Sequence, residues 1–307
     1  MYRILARLIV APLYVFSLLP LRVHYVFSGI IAWLLRDVFK YRRRVTDTNL
    51  AGAFPDLDEA SRVKIARDYY RYLGEVIVET VWAMTRSGRY IHRKGFYRVD
   101  AAGERLMNDV WREGKPVVVL LSHTGNWELA SDLPFYMEDA GFSEKDMTAV
   151  YQSLHSPLSE QLFLMLRRKR LSSEGNLVPS HRIMRFMLER RDEPRIYFFI
   201  ADQYPYSGAS KTNTFLNLET EWFTGGAAIA RKLHLPVLYI YLDRVQRGEY
   251  VIKISQICSD ASQWETGAVT DAYAKLLERD ILSRRGNWLW SHRRWKNLWP
   301  YNCSKEK

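Results

Sequence analysis

Val117, Val118, Val119, Leu120 and Leu121 form an apolar run that stops at Ser122, and His123, Asn126, Trp127 and Glu128 follow at once. An imidazole with an unperturbed pKa of about 6.5 is suited to taking a proton from a hydroxyl at neutral pH. A carboxylate beside it would fix its tautomer and favour the imidazolium that forms. Inside one helix, five steps of about 100° would place His123 and Glu128 about 140° apart, where they cannot meet. They face each other only if His123 lies in a turn and Glu128 opens the helix that follows. That arrangement predicts a ring-to-carboxylate separation of roughly 2.6–3.2 Å. His123 and Glu128 are therefore the candidate catalytic pair, with Asn126 between them as a candidate substrate contact. The plainer alternative is a loop histidine satisfied by other partners and a glutamate decorating a helix amino terminus. No strong nucleophile accompanies the pair, so a substrate hydroxyl would itself attack.

Other chemistries find no support in the sequence. The seven histidines are scattered, no H-E-x-x-H occurs, and Cys258 and Cys303 match no metal or redox spacing. Neither G-x-S-x-G nor G-x-G-x-x-G is present, so the reading calls for no metal and no organic cofactor. Further polar groups do gather where apolar runs end. "RIYFFIA" leads into Asp202 and Gln203. "WFTGG" places Thr224 and Gly225 at the start of a helix, where free N–H groups suit an anion. "LRRKRL" at 166–171 offers guanidinium groups that could grip a phosphate. Each cluster taken singly is explained by capping, turn formation or a solvated face. Their arrival at successive strand ends points to one site.

The elements that must position these groups alternate. Strands are predicted at 117–121, 147–151, 195–201, 236–242 and 250–257, and helices at 58–85, 127–140, 157–170, 180–191, 225–234 and 263–283. Such alternation implies an α/β fold with a mostly parallel sheet flanked by helices, whose ligands collect at the carboxyl ends of the strands. A chain of 307 residues, 48% hydrophobic and 26% charged, has enough apolar material for a sizeable core and is not disordered.

The amino end reads differently. Residues 8–21 and 25–35 carry no charge, with Arg22 and His24 between the two runs. Neither run alone reaches the roughly 20 residues of a full span. A tilted transmembrane helix and helices lying in the interface both fit; a secretory signal peptide fits less well, because no small-residue cleavage site follows. The cluster "KYRRRV" at 40–45 would keep the remainder cytoplasmic and favour anionic headgroups. The reading divides the chain into an anchor with a basic juxtamembrane segment, 1–45, and a cytoplasmic body, 46–307. The formal charge of +11 suits anionic lipid, an acidic protein or nucleic acid. No nucleic-acid motif appears, which leaves a basic membrane-binding protein as the non-enzymatic alternative.

"SHTGNWE" at 122–128 resembles the signature of the bacterial lipid A biosynthesis (late) acyltransferases, of the lysophospholipid acyltransferase superfamily, in its His-x4-Glu form. The likeness extends over nearly the whole chain, through "TNLAGAFPDL", "RRKR", "ADQ", "FTGGAAIARKLHLPV" and "WLWSHRRWK". It implies a glycerolipid acyltransferase-like fold with an amino-terminal hydrophobic membrane-anchoring helix. The implied enzyme faces the cytoplasm at the inner membrane and moves a fatty acyl chain from acyl carrier protein or CoA to a hydroxyl of a lipid A precursor in lipopolysaccharide biosynthesis. His123 becomes the base, Glu128 its partner, and Arg168 or Arg170 a ligand for phosphate or the acyl group. The stretch 202–225 departs from the family's usual pattern, which keeps another glycolipid, an amino-acid lipid or a lysophospholipid open as acceptor.

Overall fold

An uninterrupted apolar strand needs cover on both faces, and Val117–Leu121 receives it. The computed structural model describes residues 2–154, 156–168, 176–205 and 210–298. Its strands are β1 (Tyr97–Val99), β2 (Val117–Leu121), β3 (Met147–Tyr151), β4 (Leu177–Pro179), β5 (Ile196–Ile200), β6 (Ser210–Phe215), β7 (Leu218–Phe223), β8 (Val237–Gln246) and β9 (Glu249–Cys258). Seven of them form one sheet in the order β1-β9-β8-β2-β5-β3-β4, and every pairing is parallel except β8 with β9. That exception is a hairpin whose turn needs the positive φ of Gly248 (+73°). β6 and β7 form a separate antiparallel hairpin.

Among the described residues ten α-helices accompany the sheet: α1 (Tyr2–Ser17), α2 (Leu21–Trp33), α3 (Arg43–Ala53), α4 (Glu59–Ala83), α5 (Gly88–Arg93), α6 (Ala101–Arg112), α7 (Pro157–Arg168), α8 (Ile183–Glu189), α9 (Gly225–Lys232) and α10 (Ala268–Ser283). Alternate residues of β2 feed two cores. Val118 and Leu120 join Tyr72, Ala230, Tyr239 and Tyr273 on one face; Val117, Val119 and Leu121 join Met107, Leu133 and Tyr136 on the other. The α/β class with a mostly parallel sheet is therefore as the sequence implied.

Register is what builds the site. Leu121 pairs with Ile200, so the chain leaves both strands side by side, and His123 comes level with Asp202. Several expected elements differ. Residues 127–136 form a 3₁₀ segment, not an α-helix, with Pro134 inside and a break at Asp132. The helix expected at 263–283 begins only at Ala268, and that at 180–191 is a short 3₁₀ turn leading into α8.

The amino-terminal apolar stretch is two helices separated at Pro20, and no helix of the described residues is long and apolar enough to cross a membrane. The spanning form of the anchor is thus not found. Instead α1 packs on α4 and α7, and α2 lies along α4. A Cβ on Gly74 would come 2.5 Å from the Ser28 carbonyl oxygen, so only glycine lets α2 and α4 approach this closely. The outward faces of α1 and α2 carry exposed Leu8, Val15, Val26, Ile30 and Trp33.

Leu238 on β8 is fully buried against β2. Leu238→Ala should lower the unfolding free energy by about 2–5 kcal/mol, seen as a lower denaturant midpoint with an unchanged slope. A loss within about 0.5 kcal/mol would show that this face of the sheet is not packed as described.

Candidate active site

The turn after β2 is held from several sides. Gly125 has φ +56°, and an added Cβ would lie 2.6 Å from both Cβ and O of Leu242, so neither its conformation nor its space admits a side chain. Its carbonyl accepts a 2.5 Å hydrogen bond from the Tyr72 hydroxyl. The hydroxyl of Tyr97 takes the Asn126 N–H and donates to the Asn126 carbonyl, both at 3.0 Å. Thr124 forms an isolated antiparallel bridge with Trp288. These contacts fix the backbone that presents His123.

The carboxylate against the His123 ring is that of Asp202. Nδ1 lies 2.6 Å from Asp202 Oδ1, and the His123 backbone N–H donates to Oδ2 at 2.9 Å. The indole N–H of Trp288 donates to the same Oδ2 at 2.7 Å. Burial alone would raise the Asp202 carboxyl, but the neighbouring imidazole and these hydrogen bonds outweigh it and hold the group below the usual carboxylate range. With Nδ1–H assigned to Asp202, the Nε2 lone pair points outward, and the Gln203 amide nitrogen lies 3.2 Å from it.

Glu128 does not take the place beside the ring that the His-to-Glu spacing suggested. Its two oxygens accept a bidentate pair from Arg167, at 2.9 and 2.7 Å, and a bond from the Trp127 indole at 3.0 Å. The reason is local geometry. Residue 128 lies in a 3₁₀ turn that points it toward the end of α7, and Trp127 meets the His123 ring instead, edge-on at 5.0 Å. Arg167 stacks on Phe163 with its guanidinium carbon 3.5 Å from the ring centroid. From that block Arg167 is brought to the site; the side chain of Arg168 and the whole of Arg170 lie outside the described residues.

Beside the turn a cavity opens on the β2 face that carries Leu121. Its wall includes Leu121, Trp127, Met147, Phe198 and Ile200, with Glu128 and Arg167 among its lining. An apolar chamber with one ion pair suits a long hydrocarbon chain bearing a polar end. Asn126, expected as a substrate contact, is fully buried; its amide bonds Glu79 and Thr80 at 3.2 Å each, so it shapes the turn and does not line the cavity. Thr224 and Gly225 precede and open α9, which packs on the opposite face of the sheet, and Thr224 lines a separate hollow with Ala228 and Arg231. Asp202 and Gln203 are brought to His123, while Thr224 and Gly225 stand at the start of α9. No group of His, Cys, Asp and Glu among the described residues is placed to hold a metal ion.

The segment 288–296 is the part of the site that residue spacing left without a role. Besides Trp288, the ring nitrogen Nε2 of His292 accepts from the Tyr204 N–H at 3.2 Å, pinning the loop that carries Asp202. The segment is tied down by Asn49, which donates to the Trp290 and His292 carbonyls, and by the Tyr69 hydroxyl on Ser291. Arg294 is buried with its guanidinium 4.4 Å from the Trp222 ring centroid. The density of Trp, His and Arg was the available signal, but it named no partner.

Burial lowers His292 to about 4, with the Asp202 carboxylate opposing and His123, Arg294 and Arg42 reinforcing. The folded protein therefore binds fewer protons here than the unfolded chain between about 4 and 6.5, and stability is lost as pH falls through that window. His292→Gln can still accept from Tyr204 and should remove that part of the slope. Unfolding free energies between pH 7 and pH 5 test this; equal slopes in the two proteins would show that His292 is not held neutral.

The family model for bacterial lipid A biosynthesis acyltransferases matches residues 2–297. A search among curated proteins found no match.

Proposed function

The chain belongs to the bacterial lipid A biosynthesis acyltransferase family and is an acyltransferase; from that premise we propose that it moves a fatty acyl chain from an acyl thioester to a hydroxyl of a lipid A precursor. The single observation that supports a mechanism is the Asp202–His123 pair at 2.6 Å, with Nε2 on the Gln203 amide and the ring against Trp127, which lines an apolar cavity. The acceptor hydroxyl displaces the Gln203 amide from Nε2 and gives its proton to that nitrogen. The oxygen attacks the thioester carbonyl, and the tetrahedral oxyanion collapses with expulsion of the donor thiolate. The thiolate takes the proton back from the imidazolium, so the base is regenerated. Asp202, kept ionised, balances the imidazolium while it exists.

In this reading the donor chain fills the cavity walled by Leu121, Trp127, Met147 and Phe198. Arg167 is its cationic lining residue and would meet the oxyanion or a donor phosphate. The basic surface, with 45 Lys and Arg against 34 Asp and Glu, would steer an acidic acyl carrier protein, with CoA as the other donor. The exposed apolar faces of α1 and α2, followed by Lys40, Arg42, Arg43 and Arg44, favour helices lying in the interface of the inner membrane with the body on its cytoplasmic side.

The test is acyl transfer from a carrier-bound thioester to a detergent-dispersed lipid A precursor, read by product mass. Wild type should add one ester-linked chain. Folded His123→Ala should be slower by about 10²–10⁴-fold, the usual worth of a general base. Equal rates for the two proteins would remove His123 from the mechanism.

A further inference from the structure

Helix α4 turns two carboxylates inward, Glu75 and Glu79, one turn apart and both fully buried. Glu75 is neutralised by Arg244 and Arg247. Glu79 makes no ion pair with any described residue. It is satisfied by three neutral donors instead: the Tyr25 hydroxyl at 2.9 Å, the Tyr250 hydroxyl at 2.7 Å and the Asn126 amide at 3.2 Å. Burial pushes Glu79 up to about 7, against those hydrogen bonds, which favour the anion. A buried carboxylate held by neutral donors and not by an ion pair is expensive, and an apolar residue would fill the same space at less cost.

The three donors come from three different parts of the molecule. Tyr25 belongs to α2, Tyr250 to β9, and Asn126 to the turn that presents His123. Asn126 is also clasped at both its N–H and its carbonyl by Tyr97, so a shift of its side chain is passed to the backbone three residues from His123. α2 lies against α4 through the close approach at Gly74. Glu79 thus touches both α2 and the turn that presents His123, accepting from Tyr25 on one side and Asn126 on the other.

We propose that Glu79 is a positioning residue for acyl transfer, bridging Tyr25 on α2 to Asn126 in the turn so that the seating of α2 sets the aim of His123. This rests on His123 being the base. Glu79 touches neither cavity nor substrate, and its effect is carried through Asn126. The geometry implies energetic coupling between Tyr25 and Glu79 in turnover, with none in donor binding, because the cavity wall is made by other residues.

The experiment is a double-mutant cycle on the full chain, using Tyr25→Phe, Glu79→Gln and the double variant, with carrier-bound acyl thioester and detergent-dispersed acceptor. Each single variant should lower kcat on the order of tenfold with KM for the donor unchanged, and the double variant should be no slower than Glu79→Gln alone. Losses that multiply, or single variants with wild-type kcat and only a lower Tm, would overturn the inference and leave Glu79 a structural residue. If Glu79→Gln does not fold, Tyr25→Phe alone decides: wild-type kcat refutes the link. A wild-type protein that transfers no acyl chain would instead overturn the functional reading on which this one stands.

Discussion

One buried carboxylate holds the site together. Asp202 accepts the ring and backbone N–H groups of His123 and the indole N–H of Trp288, all within 2.9 Å. Two of those donors come from the turn after β2 and the third, Trp288, from a segment 86 residues beyond Asp202. A carboxylate stripped of water is tolerated only when such donors replace the solvent, so neither strand end can move without leaving a buried charge unsatisfied. This explains why the carboxyl-terminal stretch folds back across the sheet edge. Trp288 completes Asp202, and His292 fixes the loop on which Asp202 rides.

The second carboxylate of the region has a different fate. Glu128 is paired bidentately with Arg167, and the pair joins the end of α7 to the turn at the mouth of the cavity. α7 in turn receives α1. The two acids thus divide the work: Asp202 holds the His123 ring, while Glu128 and Arg167 shape the chamber beside it. The buried tyrosines 72 and 97 hold the backbone between them, which lets Gly125 adopt a conformation closed to other residues.

Much of this was legible in the sequence, and its limits have physical causes. The apolar runs at 117–121 and 195–201 identified the central strands β2 and β5, because burial on both faces forces continuous hydrophobicity. His123 and Asp202 were both visible as polar groups ending such runs. Their pairing was not, since it depends on the register of β2 with β5, which no local pattern encodes. Spacing instead favoured Glu128, because it assumed that 127–140 is helical; Pro134 and the 3₁₀ geometry redirect the side chain. The β6–β7 hairpin escaped notice because its first strand, "SKTNTF", is mostly polar. Only joined were the amino-terminal runs long enough to suggest a span, and Pro20 divides them into two helices that pack on the body.

The claim on which the account turns is that Asp202, not Glu128, holds the His123 ring. Proton NMR of ¹⁵N-histidine-labelled protein observes the Nδ1–H directly, and a short bond to a carboxylate moves that proton downfield. The account predicts that the resonance keeps its position in Glu128→Gln and is lost or moves upfield in Asp202→Asn. A resonance unchanged in Asp202→Asn but lost in Glu128→Gln would contradict it.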